Sequence, residues 1–146
     1  MFRRVLVLVD FSAASLQAVH HACDLTRAVG STLTLLHVLE NPKERNRAHE
    51  YLQRLAQQSR RQAYIMVEPS HGHSVAQVIL EVAHRIGSEV LILGPHSQEL
   101  THRRLGHVAA GVLLDAAIPV YLVPSGFKKS IPPSARWTSL VPKQTS

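Results

Sequence analysis

Val90-Leu91-Ile92-Leu93 runs straight into Gly94-Pro95-His96-Ser97, and after eight further residues comes Gly106-His107. Four apolar residues without a polar interruption read as a strand covered on both faces. The pattern from His107 to Ala117 reads as a helix. A buried strand that turns through glycine into a loop and then a helix is where α/β proteins hold anions, because the first turn of a helix presents unpaired backbone N–H groups. This stretch therefore suggests both a fold class and a candidate phosphate-binding loop.

Working outward, the chain alternates strand and helix. Val5-Leu6-Val7-Leu8-Val9 is a second continuous apolar run. Ser12 is a natural N-cap for a helix over 13–29, with Leu16, Val19, Ala22, Cys23 and Leu25 as its apolar stripe and Gly30 as its stop. Residues 32–39 form the second strand, and Asn41-Pro42 breaks the chain. The spacing predicts a helix over 43–62, basic through Arg45, Arg47, Arg54, Arg60 and Arg61, anchored by Ala48, Tyr51, Leu52, Leu55 and Ala56. Residues 63–67 read as the third strand, and Ser74 caps an amphipathic helix carrying Val75, Val78, Ile79, Val82 and Ile86, stopped at Gly87. The last helix passes over Pro119 into Val120-Tyr121-Leu122-Val123, the fifth strand. Strands separated by helices pair in parallel, which predicts an open, doubly wound five-stranded sheet with helices on both faces.

The chain has 146 residues, 45% hydrophobic and 18% charged, which fits one globular domain. No apolar run approaches the roughly 18 residues of a membrane span. The first ten residues are basic then apolar, but Asp10 interrupts them and no small-residue cleavage site follows, so they read as a strand rather than a leader. A single cysteine, Cys23, excludes an internal disulfide and fits a reducing cytoplasm. The net charge of +6 is uneven: residues 125–146 carry Lys128, Lys129, Arg136 and Lys143 and no acid, leaving 12 basic against 10 acidic residues in 1–124. The globular part is close to neutral, and nucleic acid is not its expected partner. The expected division is a domain over 1–124 and a basic tail over 125–146 rich in Pro and Ser.

In such sheets ligands sit beyond the carboxyl ends of the strands, where strand order reverses. Periodicity leaves orders 3-2-1-4-5 and 2-1-3-4-5 open. A receiver-like reading needs clustered acids after the first strand and a phospho-acceptor Asp ending the third; one Asp and Glu68-Pro69 stand there instead. A Walker A loop is absent, as is GxGxxG after the first strand.

The chain resembles the universal stress protein family over about residues 1–124. Val7-Leu8-Val9-Asp10-Phe11-Ser12 is similar to the family's first strand and its Asp-Gly-Ser turn, and Leu35-Leu36-His37-Val38 to the end of its second strand. Gly94 and Gly106 are similar to its glycine loop, and the spacing from Gly106 to Pro119-Val120 matches as well. The resemblance implies strand order 3-2-1-4-5 and a homodimer through antiparallel pairing of the fifth strands, Val120 to Val123 here. It implies an adenine nucleotide, ATP or AMP, as ligand. Asp10 would then meet the adenosine moiety and Val38 the base, while Gly94, Ser97, Gly106 and His107 line the phosphates. Arg103 and Arg104, inside the loop, would add charge-assisted contacts.

ATP-binding members carry Gly-2x-Gly-9x-Gly-Ser/Thr. Here Ser97 stands in the place of the second glycine, eight residues rather than nine precede Gly106, and His107 replaces the hydroxyl residue. The missing glycine removes a close backbone approach, the shorter loop shifts the amides of an anion nest, and His107 is bulkier and offers an imidazole in place of a hydroxyl. Phe11 stands where the first turn has glycine and narrows it. The expectation is a degenerate nucleotide crevice in a dimeric, cytoplasmic, regulatory protein.

Ten histidines are many for this length. His71, His73, His96, His102 and His107 fall in or beside loops at the carboxyl edge of the sheet, but their spacing is no zinc signature, and solvated histidines without metal are expected. His20, His21, His49 and His84 lie on helices as surface or boundary residues. His37, on a strand, is expected to pack with one nitrogen satisfied. No Ser/His/Asp order, nucleophile elbow or paired carboxylates point to an enzyme. The alternative function is a protein–protein adaptor that uses the basic tail and second helix.

Overall fold

The computed structural model describes residues 3–59, 62–94 and 106–124. Within them a five-stranded sheet has the order β3-β2-β1-β4-β5, with every pair parallel. The strands are β1 (Arg4–Leu8), β2 (Thr32–Leu39), β3 (Tyr64–Pro69), β4 (Val90–Leu93) and β5 (Val120–Leu122). The helices are α1 (Ala13–Val29), α2 (Arg45–Gln58), α3 (Val75–Arg85) and α4 (His107–Asp115), and a 3₁₀ turn over Pro42–Glu44 leads into α2. The family-implied strand order is the one observed.

β1 lies at the centre of the sheet, and its alternating side chains enter two separate cores. Val5, Val7 and Val9 pack against α1 and α2 through Val19, Ala22, Leu52 and Leu55. Leu6 and Leu8 pack against α3 and α4 through Ile79, Val82, Ala109 and Val112. This explains the continuous apolar runs: a strand covered on both faces has no polar side to alternate with. On the second face α3 and α4 approach closely, for a Cβ added at Gly111 would lie 2.8 Å from that of Ala76.

The caps are local. The Ser12 hydroxyl accepts from the Ser15 amide and opens α1, while Gly30, at φ 74°, closes it in the left-handed region. Ser74 and Gln77 form a reciprocal capping box at α3: the Ser74 side chain accepts from the Gln77 amide at 3.1 Å and the Gln77 side chain from the Ser74 amide at 3.0 Å.

Several predicted bounds shift. The helix expected over 43–62 begins with the 3₁₀ turn and ends at Gln58. Its apolar anchors stop at Ala56, and the Ser59 hydroxyl donates to the Ala56 carbonyl at 2.7 Å, a local bond that competes with helix continuation. β3 reaches Pro69 rather than residue 67, because Val38 and Leu39 of β2 still have partners in Glu68 and Pro69. A proline is tolerated there at the end of an edge strand. α4 stops at Asp115 rather than 117, with Ala116 extended at ψ 136° as the chain nears Pro119. β1 is assigned one residue earlier than expected, although the Val9 amide continues the ladder by donating to Leu36 at 2.7 Å. The fifth strand ends at Leu122, and Val123 likewise donates to Leu93 at 3.0 Å.

Replacing Ser74 with Ala removes half of the capping box. The expected loss is about 1 kcal/mol of stability, read as a lower midpoint with unchanged slope in urea denaturation.

Candidate functional site

The chain leaves β1 through Asp10-Phe11-Ser12 and enters α1 at once. The Asp10 carboxylate accepts from the Ser12 amide at 3.0 Å and from the Ser12 hydroxyl at 2.6 Å, both through Oδ1. This is an Asx turn, the local bond for which Asp is favoured at such corners. The Asp10 amide donates to the buried Ser15 hydroxyl at 2.9 Å. Asp10 thus has a structural role as a turn residue, and its Oδ2 has no hydrogen-bond partner among the described residues.

Phe11 adopts φ 72°, in the left-handed region. For a residue with a Cβ this costs on the order of 1–2 kcal/mol, so the residue keeps the backbone shape of a glycine turn at an energetic cost. Its ring is held from three sides. The His37 ring lies 4.6 Å away, the Tyr51 ring meets it edge-on at 4.8 Å, and the Arg47 guanidinium carbon sits 5.0 Å from its centroid. Such aromatic and cation–π contacts each contribute about 0.5–1.5 kcal/mol, enough together to offset the strain. Phe11 therefore ties the β1 turn to β2 and α2. Burial pushes the Tyr51 phenol above its ordinary range, and the Asp10 carboxylate adds to that while Arg54 opposes it.

Beyond the carboxyl ends of β1 and β2 lies a crevice of about 500 Å³. Asp10, Phe11 and Ser12 form the β1 side, and His37, Val38 and Glu40 the β2 side. Asn41 and Glu44 come from the 3₁₀ turn, and the first turns of α3 and α4 contribute Val75 and Val108. Its lining is mixed, with apolar Val38, Val75 and Val108 and acidic Asp10, Glu40 and Glu44.

Of the residues expected at a nucleotide site, Asp10 and Val38 line this crevice. Gly94 follows β4 and Gly106 precedes α4. Gly94 has a packing role of its own: a Cβ there would lie 3.1 Å from both the Cβ and the carbonyl oxygen of Ala14 in α1. Gly106 caps α4 in extended conformation with no side-chain hydrogen bond, so the first amides of α4 are not met by a side-chain cap. His107 is exposed in that first turn. Ser97, Arg103 and Arg104 lie outside the described residues, as do His96, His102 and the tail over 125–146. Among the described residues no three His, Cys, Asp or Glu side chains gather in a metal-binding group.

The protein-family comparison matches the model of the universal stress protein family over residues 1–124. The chain belongs to the universal stress protein family. No curated protein sequence matches it. Among solved structures, a universal stress protein crystallised in complex with cAMP aligns with a TM-score of 0.71 at 19% identity, over 85% of this chain and 98% of that one. The universal stress protein from Archaeoglobus fulgidus in complex with dAMP aligns with a TM-score of 0.65 at 19% identity, over 83% and 97%. A family member from Burkholderia pseudomallei aligns with a TM-score of 0.67 at 20% identity, over 84% and 96%. At such identities these structures establish the shared fold.

The sequence reading missed the acidic rim of this universal stress protein's crevice and the stack around Phe11. Glu40 follows the end of β2 directly and Glu44 lies four residues on, so strand-end placement would have found both. A glycine-turn position occupied by Phe was the visible sign of a positive φ, but the partners of its ring come from β2 and α2.

Phe11→Gly and Phe11→Ala both lose the ring, while only Ala keeps a Cβ in the left-handed region. The Gly variant is expected to be more stable than the Ala variant by about 1 kcal/mol, measured by thermal and urea denaturation. An Ala variant equal or superior in stability would remove the strain from the account.

Proposed function

We propose that this stress-type protein binds an adenine nucleotide in the crevice at the ends of β1 and β2, with a weakened grip on the phosphates, and acts as a regulatory rather than catalytic protein. The observation that carries the reading is that Asp10, just after β1, and Val38, on β2, line one crevice beyond the carboxyl ends of these strands. Apolar Val38, Val75 and Val108 suit a base, and the Asp10 carboxylate suits ribose hydroxyls. The amides at the start of α4, with Gly94, Ser97, Gly106, His107, Arg103 and Arg104, are the proposed phosphate side. The cAMP and dAMP complexes of its structural relatives support this choice of ligand class.

The weakened grip follows from the residues. Ser97 replaces a glycine, the loop is one residue short, and His107 stands for a hydroxyl. Carboxylates of Asp10, Glu40 and Glu44 also line the crevice, where each added phosphate charge meets repulsion. AMP and ATP are therefore expected to bind with affinities within about tenfold of each other, about 1.4 kcal/mol. Calorimetry tests this: both ligands should bind wild type, and Asp10→Ala should weaken both. A micromolar ATP affinity far above that for AMP would show an intact phosphate loop. Absence of binding by either nucleotide would leave the basic second helix and tail, an adaptor for an acidic protein partner, as the function.

The proposed assembly is a homodimer through β5. Among the described residues β5 is an edge strand with one neighbour, β4, and unpaired edges call for cover. Tyr121 on β5 is 42% exposed and its hydroxyl lies 2.8 Å from His21 Nε2 of α1, and Leu114 on α4 is 82% exposed. Sedimentation velocity should give a dimer that Tyr121→Lys shifts to monomer; a monomeric wild type would contradict it. The proposed location is the cytoplasm, in keeping with a single cysteine, Cys23, that is buried and in no disulfide.

A further inference from the structure

One crevice residue has no part in the nucleotide reading above. His37 is only 8% exposed, yet it lines the crevice beside Asp10 and Val38. Its Nδ1 lies 2.6 Å from the Val9 carbonyl oxygen. A carbonyl oxygen only accepts, so Nδ1 carries a proton, and in the neutral ring Nε2 is left as an acceptor. The Phe11 ring, its centroid 4.6 Å away and tilted by 41°, packs against the imidazole. Both the tautomer and the orientation are thus set by the protein, and no described residue bonds Nε2.

Of the neighbouring polar groups only Asn41, whose side-chain oxygen accepts from the Lys43 amide, has a donor to spare. Asp10, Glu40 and Glu44 are acceptors when ionised, and the Ser12 hydroxyl donates to Asp10. Nε2 is not sealed from the crevice, and a wall rich in acceptors selects a ligand that presents donors. We propose that His37 is a specificity-determining residue whose Nε2 accepts a hydrogen bond from the bound adenine nucleotide, given either by a ribose hydroxyl or by the exocyclic amino group of the base. The inference rests on the nucleotide reading and adds to it. The Val9 carbonyl and the strained Phe11 turn then act as positioning elements, holding the imidazole ready before ligand arrives.

Two substitutions separate the two nitrogens. In His37→Asn the side-chain amide nitrogen can reach the Nδ1 position and still donate to Val9, but nothing occupies the Nε2 position. In His37→Gln the amide oxygen can reach the Nε2 position as an acceptor, and the bond to Val9 is lost. Calorimetry with AMP, paired with thermal melts, reads both effects. The Asn variant is expected to lose about tenfold or more in AMP affinity and to melt a few degrees lower, because the ring contact with Phe11 is lost. The Gln variant is expected to melt lower yet bind AMP more tightly than the Asn variant.

Analogues lacking the 2′-hydroxyl or the exocyclic amino group identify the donor. The analogue missing the contacted group should bind wild type and the Asn variant equally. Undiminished AMP affinity in the Asn variant would overturn the inference while the nucleotide reading stands. So would a Gln variant no better than Asn, or a full Asn penalty with both analogues. A wild type that binds no AMP would remove the nucleotide reading itself, and this inference with it.

Discussion

The burial of β1 on both faces constrains everything that follows. Val5, Val7 and Val9 belong to one core and Leu6 and Leu8 to the other, so the chain cannot leave β1 sideways. It must turn beyond the strand's end and come back over one face, and it does so within Asp10, Phe11 and Ser12. The turn combines a carboxylate that caps it, a hydroxyl that starts α1, and a phenyl ring carried on a left-handed backbone. Because β1 lies between β2 and β4, this same turn opens onto the point where strand order reverses. Fold and crevice are therefore consequences of one constraint.

The Phe11 stack couples that turn to the other half of the site. A glycine there would give the same backbone shape without strain but also without reach. Phe11 contacts β2 through His37 and α2 through Tyr51 and Arg47. The crevice wall is therefore not a set of independent loop ends. Its β1 side and its β2 side share an aromatic contact, and movement at α2 would be felt at Asp10. The same cluster sits next to the carboxylates of Asp10, Glu40 and Glu44, which balances an apolar, ring-lined region against an acidic rim.

Much of this was legible in the sequence because its causes are local. Continuous apolar runs marked β1 and β4; Ser12 and Ser74 marked helix starts, and Gly30 a helix stop, because capping depends on a few adjacent residues. Strand order was not legible from periodicity, since sequence alternation is the same in either winding; it came from the resemblance of the Asp10 turn and the glycine loop to a family. The end of α2 was overrun, because Ser59 competes for backbone carbonyls in a way that a helical period does not register. Asp10 and Val38 were legible as crevice residues through that resemblance. The Phe11 stack and the acidic rim were not, because each depends on residues far apart in sequence that meet only after the sheet forms.

The central claim is that the crevice at the ends of β1 and β2 is a nucleotide site. The most direct test is an NMR titration of the isotopically labelled full chain with AMP, following backbone amides across the sheet. The account predicts that the amides of Asp10, Phe11, Ser12 and Val38, with those at the start of α4, shift together along one saturable curve, while those of β3 and the carboxyl end of α1 stay in place. Unchanged amides at the crevice, or shifts confined to another surface, would contradict it.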